Sequence, residues 1–282
     1  MNPPVPLRLG IAQICAHPEP ENNLPLLEDA LCKLCDQGAH LAVFPEYCLS
    51  LASFQSMLRS AKSVRQWQEI LGKLCRQHQL AAVFGGVTIE KNGQYFNAAL
   101  AFSAAGRLLA RYDKRHLFLL NNARKPHIDE SSLFTRGSPA PVVFRFQRWK
   151  IALTICFDLR FPVFWQSADP HPDLYLCPAA FTHATGKDHW LPLLQARAIE
   201  NLSWVAGIGQ CEKNSETGLE LHGHSVVFDP WGKSAGGLLH REPGLLCVEL
   251  DQQVLLDARR RLPACAFTAV VKQQEFSAAC RH

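Results

Sequence analysis

Three apolar runs in this 282-residue chain each end in a side chain able to do chemistry. In LTICFDLRFP (Leu153–Pro162), three apolar or small residues lead into Cys156, then Asp158 and Arg160. HLAVF (His40–Phe44) leads into Pro45-Glu46-Tyr47, and RLLARY (Arg107–Tyr112) into Asp113-Lys114-Arg115-His116. Singly, each has a plain structural role: Glu46 as a loop ion-pair partner, Lys114 as a surface lysine, Cys156 as a core thiol, since free cysteine is among the most buried residue types. Together they suit attack on a carbonyl. A thiol becomes strongly nucleophilic once deprotonated by a neighbour. A glutamate can take that proton and later activate water. A lysine, with the backbone N–H just after the nucleophile, can hold the oxyanion of a tetrahedral intermediate.

The elements that must position these groups alternate. Leu7–Ile14, His40–Phe44 and Ala81–Ile89 read as strands, separated by a helix capped by Asn22 or Asn23 and stopped at Gly38, and by a second helix over Val64–Gln77. Phe96–Ser103 and Arg107–Lys114 flank Ala105-Gly106 as a hairpin. After an irregular stretch (Asn121–Pro141), Pro141–Phe146 and Trp149–Cys156 pair around Gln147-Arg148, and a short helix follows over Pro162–Ala168. Asp173–Phe181 is a strand, Asp188–Asn201 a helix capped by Asp188, and Ser203–Gln210 a strand. His224–Lys233 is strand then turn, Gly244–Asp251 a last strand and Gln252–Leu262 a last helix. Such alternation argues for an α/β fold with mixed or parallel sheets covered by helices. In such sheets ligands bind beyond the carboxyl ends of the strands, which is where Glu46, Lys114 and Cys156 fall.

Composition is that of one large globular domain, 48% hydrophobic and 19% charged, with a formal net charge of +4. The basic residues form no face, only Arg259-Arg260-Arg261 and Arg124-Lys125, so nucleic acid is not an expected partner. No apolar run reaches the ~20 residues of a membrane span, and MNPPVPLRLG lacks the pattern of a secretory leader. The eleven cysteines are scattered and odd in number, which fits free thiols in a reducing cytoplasm. Cys32 and Cys35 sit at i, i+3 in LPLLEDALCKLC, a helix-face pattern, and no second CxxC accompanies them.

The segments VFPEY (Val43–Tyr47), YDKRHLF (Tyr112–Phe118) and ICFDLRFP (Ile155–Pro162), in that order and spacing, resemble the three signature segments of the nitrilase superfamily of carbon–nitrogen hydrolases. GKDHWLPLLQARAIEN and GHSVVFDPWG resemble its substrate-pocket helix and following strand pair. The resemblance implies a four-layer α-β-β-α sandwich spanning residues 1–282, with a core about 7–262. It implies Cys156 as nucleophile, Glu46 as general base, Lys114 as stabilising cation, and Glu130 as a second glutamate orienting lysine and water. No cofactor or metal is implied. DLRFP after the cysteine resembles the branch of ω-amidases and deaminated-glutathione amidases, whereas true nitrilases carry tryptophan-glutamate there. In that branch Arg160 and Thr185 would contact a substrate carboxylate, with Phe157 and Phe181 beside them. The expected partner is a small linear amide, and relatives pair through the helices after the nucleophile and the pocket segment, giving a homodimer or larger. Two loops, 119–136 and 167–173, depart from the pattern and are expected to line the pocket.

Three competing readings remain. One is a catalytically silent binding module on the same fold. A second is a metal site around His222 and His224, two apart on a strand and so on one face, with His183, His189 and Cys177. A third is a papain-like pair of Cys156 with His116, without that family's local signature.

Overall fold

The computed structural model describes residues 6–120 and 128–263. The first half runs β1 (Leu7–Gln13), α1 (Pro20–Asp36), β2 (Leu41–Phe44), α2 (Phe54–Ser60), α3 (Val64–Gln77), β3 (Ala81–Lys91), β4 (Gln94–Phe102) and β5 (Leu108–Asp113). A small ribbon, β6 (Leu119–Leu120) with β7 (Ile128–Asp129), leads to β8 (Val142–Phe146), β9 (Trp149–Leu153), α4 (Pro162–Gln166), β10 (Leu174–Ala179) and α5 (His183–Asn201). Then come β11 (Trp204–Gly209), β12 (Ser225–Phe228), β13 (Ser234–Leu238), β14 (Gly244–Leu250) and α6 (Gln252–Arg261).

Two six-stranded mixed sheets result, ordered β14-β1-β2-β3-β4-β5 and β13-β12-β11-β10-β9-β8. Side chains alternate across a strand, and the first sheet uses both faces. Leu9, Ile11, Val43 and Val83 join a core shared with the second sheet, while Ala12, Ala42, Phe44 and Phe84 join a second core with Leu27, Leu31, Trp67 and Leu71 of α1 and α3. Trp190, Leu194 and Ala198 of α5 cover the second sheet. The layers are therefore helix, sheet, sheet, helix, as the resemblance implied.

Several boundaries correct the expectations. α1 starts at Pro20 after Glu19, and Asn23 is buried within it. Its amide accepts from the His17 N–H and donates to the carbonyls of His17 and Leu49, so it serves tertiary structure rather than a cap. α5 starts at His183 after Thr182, not at Asp188, which places Pro192 inside it. Gly186, a poor helix former, lies in that first turn because a β-carbon there would sit 2.3 Å from the His222 ring. The loop 167–173 does not line the site. It precedes β10, and Asp173 bonds the Lys150 N–H at the start of β9 and Arg259 on α6, the far end of strands whose carboxyl ends lead to Cys156. Arg124-Lys125, and residues 121–127 of the other departing loop, lie outside the described residues.

The β3–β4 ladder shifts register between Phe84 and Val87. Gly86 has φ +61, and a β-carbon there would lie 2.1 Å from the Tyr47 nitrogen; one on Gly85 would lie 2.3 Å from the Pro178 β-carbon on β10. The glycine pair lets the loop after β2 press between the sheets. Gly86→Ala combines a left-handed φ with overpacking, so a loss of roughly 2–5 kcal/mol is expected. Thermal unfolding checks it, with a fall in Tm of roughly 5–15 °C; an unchanged Tm would show that the loop yields freely.

Candidate active site

The carboxyl ends of β2, β9, β10 and β11 and the end of β5 meet at one edge of the sandwich. β1, β2 and β3 run parallel, as do β9, β10 and β11. β5 regains that direction through two antiparallel steps. Four residues of different segments converge there: Glu46 after β2, Lys114 after β5, Glu130 after β7 and Cys156 after β9, all buried.

Lys114 has no exposed side-chain surface. Its Nζ donates to Glu46 Oε1 at 2.8 Å and to Glu130 Oε1 and Oε2 at 3.0 and 2.8 Å. One cation faces two carboxylates, so neutral donors supply the remaining bonds. Asn97 Nδ2 reaches Glu46 Oε1 at 2.8 Å and the Ala180 N–H reaches Oε2 at 2.9 Å. The Tyr47 hydroxyl reaches Glu130 Oε1 and the Phe118 N–H reaches its Oε2. The Gln210 amide holds the Glu46 carbonyl at 3.0 Å. Burial alone would push the Lys114 ammonium down, but Glu130, Glu46 and Cys156 outweigh it and hold it well above the usual lysine range. Burial, then Glu130 and Glu46, push the Tyr47 phenol up, so it stays a donor. Burial raises the Glu130 carboxyl, Lys114 opposes, and Glu46 adds to the rise.

Cys156 opens a single 3-10 turn (Cys156–Arg160) with φ +46, a left-handed conformation uncommon for a side-chain-bearing residue. Burial first, then the charge of Glu46, push its thiol well above the usual range; Lys114 opposes, while Glu130 and a hydrogen bond to Glu46 add to the rise. The resting site therefore holds a neutral thiol beside Glu46. Such a thiol can pass its proton to that carboxylate as it attacks, with the ammonium close to the charge that develops.

Outside the buried group lies an aromatic mouth. Phe157 stands edge-on to Phe118 and Phe161, at 5.3 and 5.5 Å. The Arg160 guanidinium lies over Phe157 at 5.8 Å and over Phe181 at 5.2 Å, and meets His189 Nδ1 at 3.3 Å. Among the described residues it has no ion pair. Thr185, in the first turn of α5, bonds Thr182 rather than Arg160.

His116 does not pair with the thiol. Its Nδ1 lies 2.8 Å from Asp158 Oδ1. His183 and His222 meet at 3.3 Å and His224 stacks on His222, yet among the described residues no three His, Cys, Asp or Glu side chains are grouped to hold a metal ion. No described helix is long and apolar enough to cross a membrane. Sequence reasoning passed over Tyr47, Asn97, Asp158 and Gln210. Two of them stand inside the quoted segments VFPEY and ICFDLRFP, and Asn97 is a polar break in the apolar run FNAALAFS.

Comparison with known proteins gives this geometry a family. The model of the family described as Carbon-nitrogen hydrolase matches residues 8–260. A deaminated glutathione amidase of Synechocystis sp. is 32% identical over 268 residues, 92% of this chain and 97% of that protein. The omega-amidase NIT2-B of Xenopus laevis is 26% identical over 258 residues, 91% and 92% of the two. The NitFhit protein of C. elegans superposes with a TM-score of 0.84 at 23% identity, covering 94% of this chain; the chain spans 65% of that longer one. A variant amidase from Nesterenkonia sp., with acrylamide added at its active-site cysteine, superposes with a TM-score of 0.76 at 29% identity, covering 91% of this chain and 98% of that one.

Glu46→Gln removes the carboxylate charge that, after burial, raises the Cys156 thiol, while Lys114 remains. The thiol is therefore expected to titrate at lower pH in Glu46→Gln than in wild type. Thiolate absorbance, corrected with Cys156→Ala, measures it; a midpoint that is unmoved or higher would mean that Glu46 does not face the sulfur.

Proposed function

The chain belongs to the carbon–nitrogen hydrolase family, and from that premise we propose that it is an amidase cleaving a small, carboxylate-bearing linear amide through a cysteine thioester. The observation that carries the reading is the Cys156 thiol buried against Glu46 beside an ammonium that Glu46 and Glu130 hold together. In this reading Glu46 takes the Sγ proton and the sulfur attacks the amide carbon. The oxyanion is held by Lys114 Nζ and the Phe157 N–H. Collapse expels ammonia or an amine, which leaves with the proton from Glu46. Water, deprotonated by Glu46, then cleaves the thioester and releases the acid, and the proton returns to sulfur. Glu130 fixes the lysine.

Arg160 is the carboxylate clamp of this reading. Its guanidinium rests on Phe157 and Phe181 with no carboxylate partner among the described residues, and its fork suits a bidentate anion. Thr185, in the first turn of α5, is the second contact for that carboxylate in this reading. The ω-amidase reading, in which ammonia leaves, has a rival in which a peptide amine leaves; the 32% identity to a deaminated glutathione amidase, against 26% to an omega-amidase, favours the rival. Two further expectations belong to the reading. The nine described cysteines are unpaired, which suits a reducing cytoplasm. Val163 on α4 and Ile199 on α5 are 75% and 47% exposed, on the helices through which a homodimer is expected.

Acid formation from a 2-oxo dicarboxylic monoamide, a deaminated-glutathione-type peptide and a simple aliphatic amide tests it. Wild type should turn over one of the first two, and Cys156→Ala none. Arg160→Ala should raise KM for the carboxylate-bearing amide by roughly 10–100-fold, the worth of a charged hydrogen bond of ~1.5–3 kcal/mol, with less effect on the aliphatic one. Full activity in Cys156→Ala would overturn the mechanism, and an unchanged KM in Arg160→Ala would overturn the clamp.

A further inference from the structure

A second buried carboxylate lies two residues beyond the thiol, and the mechanism above does not use it. Asp158 has no exposed surface. Its Oδ2 accepts the Ile155 N–H at 2.9 Å and the Tyr112 hydroxyl at 2.7 Å. Its Oδ1 accepts the His116 N–H at 3.0 Å and lies 2.8 Å from His116 Nδ1. Its carbonyl accepts Trp165 Nε1 at 2.9 Å. Ile155 immediately precedes the nucleophile candidate, and Tyr112 and His116 lie two residues either side of Lys114. Tyr112 lies in β5 of the first sheet with Lys114 just after it, and Ile155 just follows β9 of the second. One carboxylate thus joins the chain carrying the ammonium to the chain carrying the thiol, across the seam between the sheets. The turn it closes holds Cys156 at φ +46, a conformation that costs roughly 1–3 kcal/mol and persists only where neighbours over-determine it.

We propose that Asp158 is the positioning residue of the reaction: by bonding Ile155 on one side and Tyr112 and His116 on the other, it sets where the Cys156 thiol stands relative to Lys114 and Glu46. This rests on the cysteine-amidase reading. Asp158 acts through geometry: its bonds hold the backbone at Ile155 and His116 and the Tyr112 hydroxyl, and the largest charge effects on the thiol are those of Glu46, Lys114 and Glu130. Asparagine keeps its shape but can accept on one side only, so either the Ile155–Tyr112 donors or the His116 donors would face an amide N–H.

The test compares Asp158→Asn, Tyr112→Phe and His116→Asn with wild type and Cys156→Ala in the full chain. It reads Tm, kcat and KM for the amide that wild type turns over, and the rate at which iodoacetamide alkylates the Cys156 peptide by mass spectrometry. A misplacement of about 1 Å at a reacting group costs about 100-fold. Asp158→Asn is therefore expected to lower kcat about 100-fold with KM nearly unchanged, and to change the Cys156 alkylation rate about tenfold in protein that remains folded. Tyr112→Phe and His116→Asn, each removing part of the clamp, should change both readouts in the same direction and by less. Unchanged alkylation and kcat in folded Asp158→Asn would overturn the proposal, as would a kcat loss without a change in alkylation, or a loss confined to KM or Tm. If Asp158→Asn does not fold, the two partner variants decide by the same criteria. Activity surviving in Cys156→Ala would sink the amidase mechanism itself. A dead Cys156→Ala beside an unaffected Asp158→Asn would sink only the positioning role.

Discussion

The site is organised by a charge that cannot reach water. Lys114 is an ammonium with no exposed side-chain surface, and removing such an ion from solvent costs several kcal/mol unless paired charges and hydrogen bonds replace its hydration. Glu46 and Glu130 do so from separate segments, the loop after β2 and the turn after β7. Four neutral donors (Asn97, Ala180 N–H, Tyr47 and Phe118 N–H) complete the bonding of the two carboxyl groups. Burial first, and then the charge of Glu46, keep the Cys156 thiol protonated, so in the proposed reaction the resting and reactive states differ by one proton passed from sulfur to Glu46.

That arrangement also dictates the backbone around it. Glu46 can reach Lys114 and the Ala180 N–H of the second sheet only because the chain after β2 dives against β3, where residues 85 and 86 have no room for a β-carbon. Tyr47 takes φ +60 in the same turn, and its hydroxyl then closes the Glu130 side of the group. The opposite wall is built from the second sheet. Arg197 of α5 clasps the Leu159 carbonyl at 2.9 Å, and Trp165 clasps that of Asp158, so the carbonyls of the nucleophile turn are held without water. The strained Cys156 backbone is thus fixed from both sheets and from α5.

Much of this was legible in the sequence, because strand periodicity and the residue types at strand ends are local signals. α3 matches its expected Val64–Gln77 span, since Ser63 and Gln66 form a reciprocal cap that local sequence announces. Glu46, Lys114 and Cys156 fall where the carboxyl ends of strands place them, whereas Glu130 is expected only from the family resemblance. The misses are non-local. Asn23 looks like a cap until its bonds to His17 and Leu49 are seen. The α5 start is masked by Gly186, whose purpose is contact with His222, thirty-six residues later in the chain. β13 (Ser234–Leu238) carries no apolar alternation because it is an edge strand rich in glycine and serine. Asn97, Tyr47 and Asp158 hide in quoted or nearly apolar runs, and each earns its place through a partner tens of residues away.

The division between the buried group and its mouth follows from the same electrostatics. The interior, where Lys114 is already paired with Glu46 and Glu130, suits the neutral amide group and disfavours a further anion close to the sulfur. In the proposed reaction a substrate carboxylate would therefore be met outside, where Arg160 stands without an ion pair among the described residues. Aromatic faces hold a guanidinium by attraction to the ring quadrupole without neutralising it, so resting Arg160 on Phe157 and Phe181 leaves its charge for a ligand. Had an acidic side chain held the arginine, a bound carboxylate would have to displace it and leave it unpaired. Chemistry inside and recognition at the rim are separated because one low-dielectric space cannot favour both a thiolate in the making and a permanent anion.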